Sequence, residues 1–161
     1  MPLNAPGIKR YPCSRAACRA FTLIELMITV ALAAVLATIA FSSYSRYIAR
    51  ARVTAATADI AGMQVSLERY FTDHNILPAT LAAAGVQLTD PWGRPYQYLP
   101  IAGARVGQVR KDRSLHPINT DYDLYSLGAD GRSASALTAN VSQDDVIRAT
   151  NGAFIGLASD Y

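Results

Sequence analysis

The run from Phe21 to Phe41 constrains the chain more than any other feature, because its twenty-one residues include one ionisable side chain, Glu25, and neither glycine nor proline. At about 1.5 Å per residue, an α-helix of that length spans a hydrocarbon core of roughly 30 Å. The apolar region of a secretory signal peptide is shorter, typically about 7 to 15 residues, and ends in a small-residue cleavage site. The sequence therefore predicts a transmembrane helix over 21–41.

The positive charge of the chain belongs to its first twenty residues. This stretch holds four basic side chains and no acid: Lys9, Arg10, Arg15 and Arg19. Without these four, 11 of the 15 basic residues remain against 12 acidic ones, so the rest of the chain is close to neutral. The charge of the body therefore gives no argument for nucleic-acid binding, and we expect no nucleic acid partner. We expect the basic N-terminus in the cytoplasm and the larger C-terminal part across the membrane.

Glu25 is the unusual residue of the apolar run. A carboxylate near the membrane interior costs on the order of 2.5 to 3.5 kcal/mol on insertion scales. Two interpretations are open: the side chain reaches the headgroups from the end of the span, or it pairs with a cation. Cleavage between Ala20 and Phe21 would supply a cation, because it creates a free α-amine one helical turn before Glu25.

A basic leader, the sequence F-T-L-I-E at 21–25 and an unbroken apolar helix together resemble the class III signal of type IV pilins and type II secretion pseudopilins. The resemblance implies that a prepilin peptidase removes residues 1–20 by cleavage between Ala20 and Phe21, and that Phe21 is N-methylated. It also implies that Phe21 and Glu25 act in subunit assembly. That family usually has glycine immediately before the cut, where this chain has Ala20.

The helical pattern continues beyond the apolar run. No helix breaker occurs from Phe21 to Ala61, and five apolar residues follow at the spacing of one helix face: Ile60, Met63, Leu67, Tyr70 and Phe71. The pattern ends near Asp73-His74-Asn75, and Pro78 prevents its direct continuation. The sequence therefore predicts one helix of roughly fifty residues, with its first half in lipid and its second half packed on a small globular cap.

Short segments bounded by turn residues follow the long helix. We predict a short helix over 78–84 that Gly85 ends, and strands over 96–99 and 122–127. The polar region 102–119 is predicted as a loop with one further strand at 105–110.

The acidic stretch after residue 141 predicts a second helix. Ser142 is a suitable N-cap, Asp144 and Asp145 would lie in the first turn, and Gly152 would end the helix. The expected fold class is α+β and pilin-like, with one long N-terminal helix on a small antiparallel β-sheet cap. Its predicted parts are a leader at 1–20, a transmembrane and assembly helix at 21–41, and a periplasmic domain at 42–161.

Two stretches of the body carry distinctive turns and aromatic residues. They read D-P-W-G-R-P-Y-Q-Y-L at 90–99 and D-Y-D-L-Y-S-L-G-A-D-G at 121–131. Both resemble signature stretches of the major pseudopilin of type II secretion, its G subunit. In that family a calcium ion, rather than a disulfide, holds the C-terminal loop. The two cysteines of this chain, Cys13 and Cys18, both lie in the leader, which fits that substitution.

The resemblance implies calcium ligands at the Leu127 carbonyl and at Asp130. The later ligands of the family come from a Gly-rich acidic segment, which this chain replaces with R-S-A-S at 132–135 and a longer tail. Asp144 and Asp145 are the nearest acids that could complete the site, since calcium takes about six to eight oxygen ligands. The alternative role for these aspartates is to satisfy a helix N-terminus, and one Asp could do each.

Nothing in the sequence indicates an enzyme. The common nucleotide-binding, zinc-protease and serine-hydrolase motifs are absent, and His74 and His116 are isolated from each other in sequence. One basic run remains, made of Arg105, Arg110, Lys111 and Arg113. We interpret it as a solvent-exposed loop, with contact to a neighbouring subunit or a polyanion as the alternative.

The predicted function is that of a structural subunit of a type II secretion pseudopilus, a homopolymer that helps export folded proteins across the outer membrane. The resemblance implies other pseudopilins, the prepilin peptidase and an inner-membrane assembly platform as partners. It also implies a single-pass inner-membrane protein whose C-terminal domain is periplasmic. One alternative is a type IV pilus pilin for adhesion, motility or DNA uptake. Another is a monomeric, membrane-tethered binding module.

Overall fold

The computed structural model describes residues 21–161. The predicted leader, including Ala20 on the near side of the cleavage position, lies outside the described residues. The chain divides between 42 and 43 into the first part of the long helix and a body formed by the remaining residues.

One α-helix, α1, runs over Leu23–His74, as the sequence predicts. Its interior contains no proline and one glycine, Gly62, so nothing interrupts the backbone hydrogen bonds. The helix ends where Asn75 adopts a positive φ of 55° and donates its backbone N–H to the Phe71 carbonyl at 2.7 Å. Asn is one of the few non-glycine residues that accepts this conformation at a helix end.

The body packs on one face of α1. Ala56, Ile60, Met63 and Leu67 are at most 1% exposed and form the centre of the core. Their spacing of three and four residues is the helical period that the sequence analysis identified. Phe71 was predicted on the same face but is 48% exposed. The fully buried stripe therefore ends at Leu67, about two turns before the helix ends at His74.

The body contains a four-stranded antiparallel sheet in the order β1-β2-β3-β4. Its strands are β1 Gln97–Pro100, β2 Tyr122–Ser126, β3 Val146–Ala149 and β4 Phe154–Leu157. Pairing opposes Gln97 to Tyr125, Tyr125 to Ile147, and Ile147 to Gly156. The long helix and this sheet confirm the predicted α+β fold class.

Both faces of the sheet are covered. Tyr122, Leu124 and Val146 belong to the core beneath α1. Ile147 and Ala149 belong to a second core with Ile118 of the long β1–β2 loop, Leu137 of the β2–β3 connection and Ala158, which follows β4. Because successive side chains of a strand point to opposite faces, β3 supplies both cores, and its four residues are all buried.

A buried arginine of β3 also contacts α1. The Arg148 guanidinium lies 2.7 Å from Asp121 Oδ2, donates from Nε to Gln64 Oε1 at 3.2 Å, and covers the Tyr122 ring at 4.0 Å. Burial opposes ionisation of Asp121, but hydrogen bonding and the charge of Arg148 outweigh it and lower the pKa of this carboxyl. Arg148 therefore joins the sheet to the helix through Gln64, while Asp121 balances its buried charge.

Two elements of the sequence analysis are wrong. The helix predicted from Ser142 is instead a 3₁₀ turn at Asn140–Ser142 followed by β3. The Ser142 hydroxyl accepts from the Ala134 N–H at 2.9 Å, so it does not cap a helix of its own. The strand predicted at 105–110 is a series of turns, with Gln108 donating its N–H to the Arg105 carbonyl at 2.8 Å.

The short helix predicted at 78–84 is present as a single 3₁₀ segment, Leu81–Ala84. The Thr80 hydroxyl accepts from the Ala83 N–H at 3.3 Å and begins it. Gly85, at a φ of 73°, ends it as predicted.

Replacing Ile60 with alanine will remove buried methyl groups from the centre of the α1 core. Because the packed surroundings relax only partly, we expect a loss of roughly 2 to 5 kcal/mol in the free energy of unfolding. Denaturant unfolding of the chain in detergent, followed by fluorescence of its single tryptophan, Trp92, measures this loss. Val65 is 65% exposed on the same helix, so Val65→Ala is the control and should change stability by at most about 0.5 kcal/mol. Equal effects of the two substitutions would contradict the assigned core.

Candidate functional site

The start of α1 has the geometry of a helix cap. The Thr22 hydroxyl accepts from the Glu25 backbone N–H at 3.2 Å, and the Thr22 carbonyl accepts from the Leu26 N–H at 3.2 Å. Threonine followed three residues later by glutamate is the pattern of a capping box. Glu25 lies in the first turn, where the positive end of the helix dipole favours a carboxylate. Thr22 therefore has a role that the sequence analysis did not assign, although its spacing to Glu25 carries the signal.

The first part of α1 presents apolar side chains without cover from the described chain. Every residue of 21–41 is exposed, with Phe21 at 76% and Leu23 at 81%. α1 is long and apolar enough to cross a membrane, and no other described helix is. An apolar surface of this extent is unstable in water and indicates contact with lipid or with another protein.

The two signature stretches of the body lie against each other. Asp90 Oδ1 accepts backbone N–H groups from Trp92 at 3.1 Å and Arg94 at 2.8 Å, which closes the D-P-W-G-R turn. Asp90 Oδ2 accepts from the Ser126 hydroxyl at 2.6 Å. The Arg94 guanidinium donates to the Gly128 carbonyl at 2.7 Å and to the Ala129 carbonyl at 3.1 Å. A carboxylate and a guanidinium from the first stretch therefore hold the loop that follows β2.

The same loop is held from its other side by Asp144. Asp144 Oδ2 accepts backbone N–H groups from Ala129 at 2.8 Å and Asp130 at 2.9 Å. Gly128 has a positive φ of 63°, and a Cβ atom there would overlap the Asp144 backbone carbonyl. Only glycine fits this close approach, which explains the glycine that follows Leu127 in the sequence.

The other predicted calcium ligands each contact a different partner. The Leu127 carbonyl accepts from the Gly131 N–H at 3.1 Å, and Asp130 Oδ1 accepts from the Arg132 N–H at 2.8 Å. Asp145 is fully buried and pairs with the Arg110 guanidinium at 2.6 Å. Asp144 and Asp145 thus point their carboxylates at different partners, and neither lies at a helix N-terminus.

These residues, in this arrangement, do not fit a calcium ion. Within residues 21–161, no three His, Cys, Asp or Glu side chains lie together as a metal-binding group. The carboxylates of Asp130, Asp144 and Asp145 accept hydrogen bonds from N–H groups instead of facing one another. Calcium binding at these residues is therefore an expectation from the sequence resemblance alone.

The sequence analysis missed the role of the two arginines at this end of the body. Arg94 was within a recognised stretch but had no assigned contact. Arg110 was interpreted as part of an exposed basic run, whereas its side chain is 2% exposed. In that run Arg105 and Arg113 are exposed, as expected, so the interpretation is wrong for Arg110 specifically.

Comparison with known proteins agrees with the helix start and with the body. Residues 15–41 match the family model described as the prokaryotic N-terminal methylation motif. The type II secretion system core protein G of Pseudomonas aeruginosa is 32% identical over 134 residues, which cover 70% of this chain and 84% of that protein.

Two fimbrial proteins are similar over shorter stretches. The fimbrial protein EcpC of Eikenella corrodens is 39% identical over 71 residues, covering 44% of this chain and 46% of that protein. The type IV major pilin protein PilE of Neisseria gonorrhoeae is 40% identical over 68 residues, covering 42% of this chain and 41% of that protein. The chain thus spans less than half the length of these two relatives, and no solved structure matches it.

The methylation motif, the long helix on an antiparallel sheet and a relative matched over most of its length agree with one another. The chain belongs to the pilin-like family that includes type IV pilins and the core protein G of type II secretion.

Proposed function

We propose that this chain is a structural subunit of a type II secretion pseudopilus. Its N-terminal helix would anchor the precursor in the inner membrane, with the body in the periplasm, and would then polymerise into a filament. Growth of the filament would help move folded proteins across the outer membrane. The single observation that carries the proposal is the exposed apolar surface of 21–41, with Glu25 as its one charge.

The physical chemistry of that surface favours assembly. In a bundle of identical helices, neighbouring side chains replace lipid chains, so the apolar surface keeps an apolar environment when it leaves the membrane. Glu25 can pair with the α-amine of Phe21 on an adjacent subunit, because cleavage after Ala20 creates that amine. The charge that is costly in lipid then has a partner in the filament. Processing, polymerisation and the position of Glu25 are thereby linked.

The core protein G relative supports a pseudopilus over a pilus. That match covers 84% of the relative, whereas the matches to the fimbrial relatives cover 46% and 41% of them. A type IV pilus subunit for adhesion, motility or DNA uptake is the second candidate, because the fimbrial relatives have the higher sequence identities, 39% and 40% against 32%. In either case, we propose that the subunit associates with copies of itself, with related minor subunits and with an inner-membrane assembly platform.

The mature protein will begin at Phe21 and carry one methyl group on its α-amine. Mass spectrometry of the N-terminal peptide from the native organism checks the cut and the methylation together. A native protein that begins at Met1 would contradict the proposal, since the partner amine of Glu25 would not exist. Chemical methylation during handling is controlled by examining a lysine-containing peptide of the same sample.

Glu25→Ala will abolish the ladder of multimers that crosslinking detects in cells, because the helix loses the charge that pairs with the neighbouring amine. Glu68 is an exposed acid in the second half of the same helix, so Glu68→Ala is the matched control and should keep the ladder. A parent protein without multimers would favour the membrane-tethered monomer. A Glu25→Ala ladder as strong as that of the control would remove Glu25 from the assembly mechanism.

Deletion of the gene will lower the amount of hydrolase activity secreted into the medium and leave twitching motility intact. Both are measured in the same strain, with the gene restored on a plasmid as the control. Intact secretion together with lost motility would transfer the assignment to a type IV pilus.

A further inference from the structure

A buried arginine lies over Tyr125, which packs against the second core of the body. Arg110 lies in the long loop between β1 and β2, and its side chain is 2% exposed. Transfer of a charged group out of water costs several kcal/mol unless its partners replace the lost hydration. The contacts of this guanidinium therefore decide whether the loop can lie on the sheet.

The side chain of Arg110 donates hydrogen bonds to oxygen atoms of the segment that follows β2. Nη1 donates to the Ala134 carbonyl at 2.9 Å and to the Ser133 hydroxyl. Nη2 donates to Asp145 Oδ2 at 2.6 Å, and the guanidinium lies 4.3 Å from the centre of the Tyr125 ring. A carboxylate, a hydroxyl and a carbonyl thus converge on one cation, as they would on a metal ion.

The main chain around Arg110 reinforces the same connection. The Arg110 N–H donates to Asp123 Oδ2 at 2.7 Å, which fixes the loop to β2. The neighbouring Lys111 donates its N–H to the Ser135 carbonyl at 2.7 Å and accepts from the Leu137 N–H at 3.0 Å. The loop before β2 and the segment after it are therefore paired through the backbone of Lys111, next to Arg110.

A second guanidinium, that of Arg94, holds the loop at 127–131. Its carbonyls at Gly128 and Ala129 accept from Arg94, and a guanidinium at this position would repel a divalent ion bound to the same carbonyls. Asp144 is engaged by two N–H groups of that loop. The predicted calcium ligands Leu127, Asp130 and Asp144 thus accept hydrogen bonds from backbone N–H groups of the chain itself. Asp145 pairs with Arg110.

We propose that Arg110 is the internal cation that closes the segment between β2 and β3, in the role that the family resemblance gives to calcium. The segment from Ser133 to Asp145 is held by the guanidinium, and the body keeps its fold without a divalent ion. This inference concerns the stability of the subunit. It stands or falls separately from the choice between pseudopilus and pilus.

The first test uses the mature full-length protein in detergent and compares its melting temperature in calcium with that in a chelator. The expected result is the same melting temperature in both, because no ion binds the native state selectively. A chelator that lowers the melting temperature by several degrees would overturn the proposal and would return the role to calcium.

The second test removes the cation. Arg110→Met leaves Asp145 buried and unpaired, and we expect the melting temperature to fall by roughly 10 °C. Arg113→Met is the matched control, since Arg113 is exposed in the same loop, and it should shift melting by about 1 °C or less. A loss for Arg110→Met no larger than that of the control would overturn the proposal.

A double variant separates the ion pair from general damage to the core. Arg110→Met combined with Asp145→Leu removes both charges of the ion pair, so it should melt clearly above Arg110→Met alone. A double variant that melts no higher than the single one would contradict a cation role for Arg110. If the single variant does not fold, the chelator comparison on the parent protein and the recovery of folding in the double variant decide the question.

Discussion

The apolar first part of α1 is the constraint on which the rest of the molecule depends. Within the described residues, nothing covers the side chains of 21–41. Such a surface requires lipid or other protein chains, and a backbone in lipid must satisfy its own hydrogen bonds, which a helix does. A break in this stretch would expose unpaired backbone groups to hydrocarbon.

Glu25 has two compatible roles in this account. In the isolated chain it occupies the third position of a capped helix, where Thr22 and the helix dipole favour it. In the proposed filament it meets the amine of a neighbour. The first role is compatible with the second, because the Thr22 hydroxyl accepts a hydrogen bond from the backbone N–H of Glu25. The carboxylate of Glu25 is therefore available for a partner on another subunit.

Sequence periodicity was sufficient to predict α1 and two of the four strands. The stripe through Ile60 and Leu67 and the aromatic runs of β1 and β2 are local patterns, and their structures follow the pattern. The helix predicted from Ser142 failed because its local signals serve distant groups. Ser142 accepts from Ala134, Asp144 holds the loop after β2, and Asp145 pairs with Arg110. Tertiary contacts therefore outweighed the preference of these residues for a helix N-terminus.

The basic run of the β1–β2 loop shows that local sequence was also insufficient to predict the contacts of individual side chains. Arg110 and Arg113 lie three residues apart among similar neighbours, yet one is buried and the other is exposed. The difference arises from acceptors 23 to 35 positions further along the chain. No pattern within the loop carries that information. The two signature stretches could be recognised, but the arginine contacts that connect the loop segments required the fold.

The short outer strands of the sheet affect how closely spaced copies of the body can contact one another. β1 and β4 form its two edges, each is four residues long, and β1 ends in Pro100. Proline has no amide hydrogen to donate, and brief edges offer little template for an added strand. Many copies held at high local concentration by their helices could thus meet through side-chain surfaces, while edge-to-edge aggregation of the kind seen in amyloid is disfavoured.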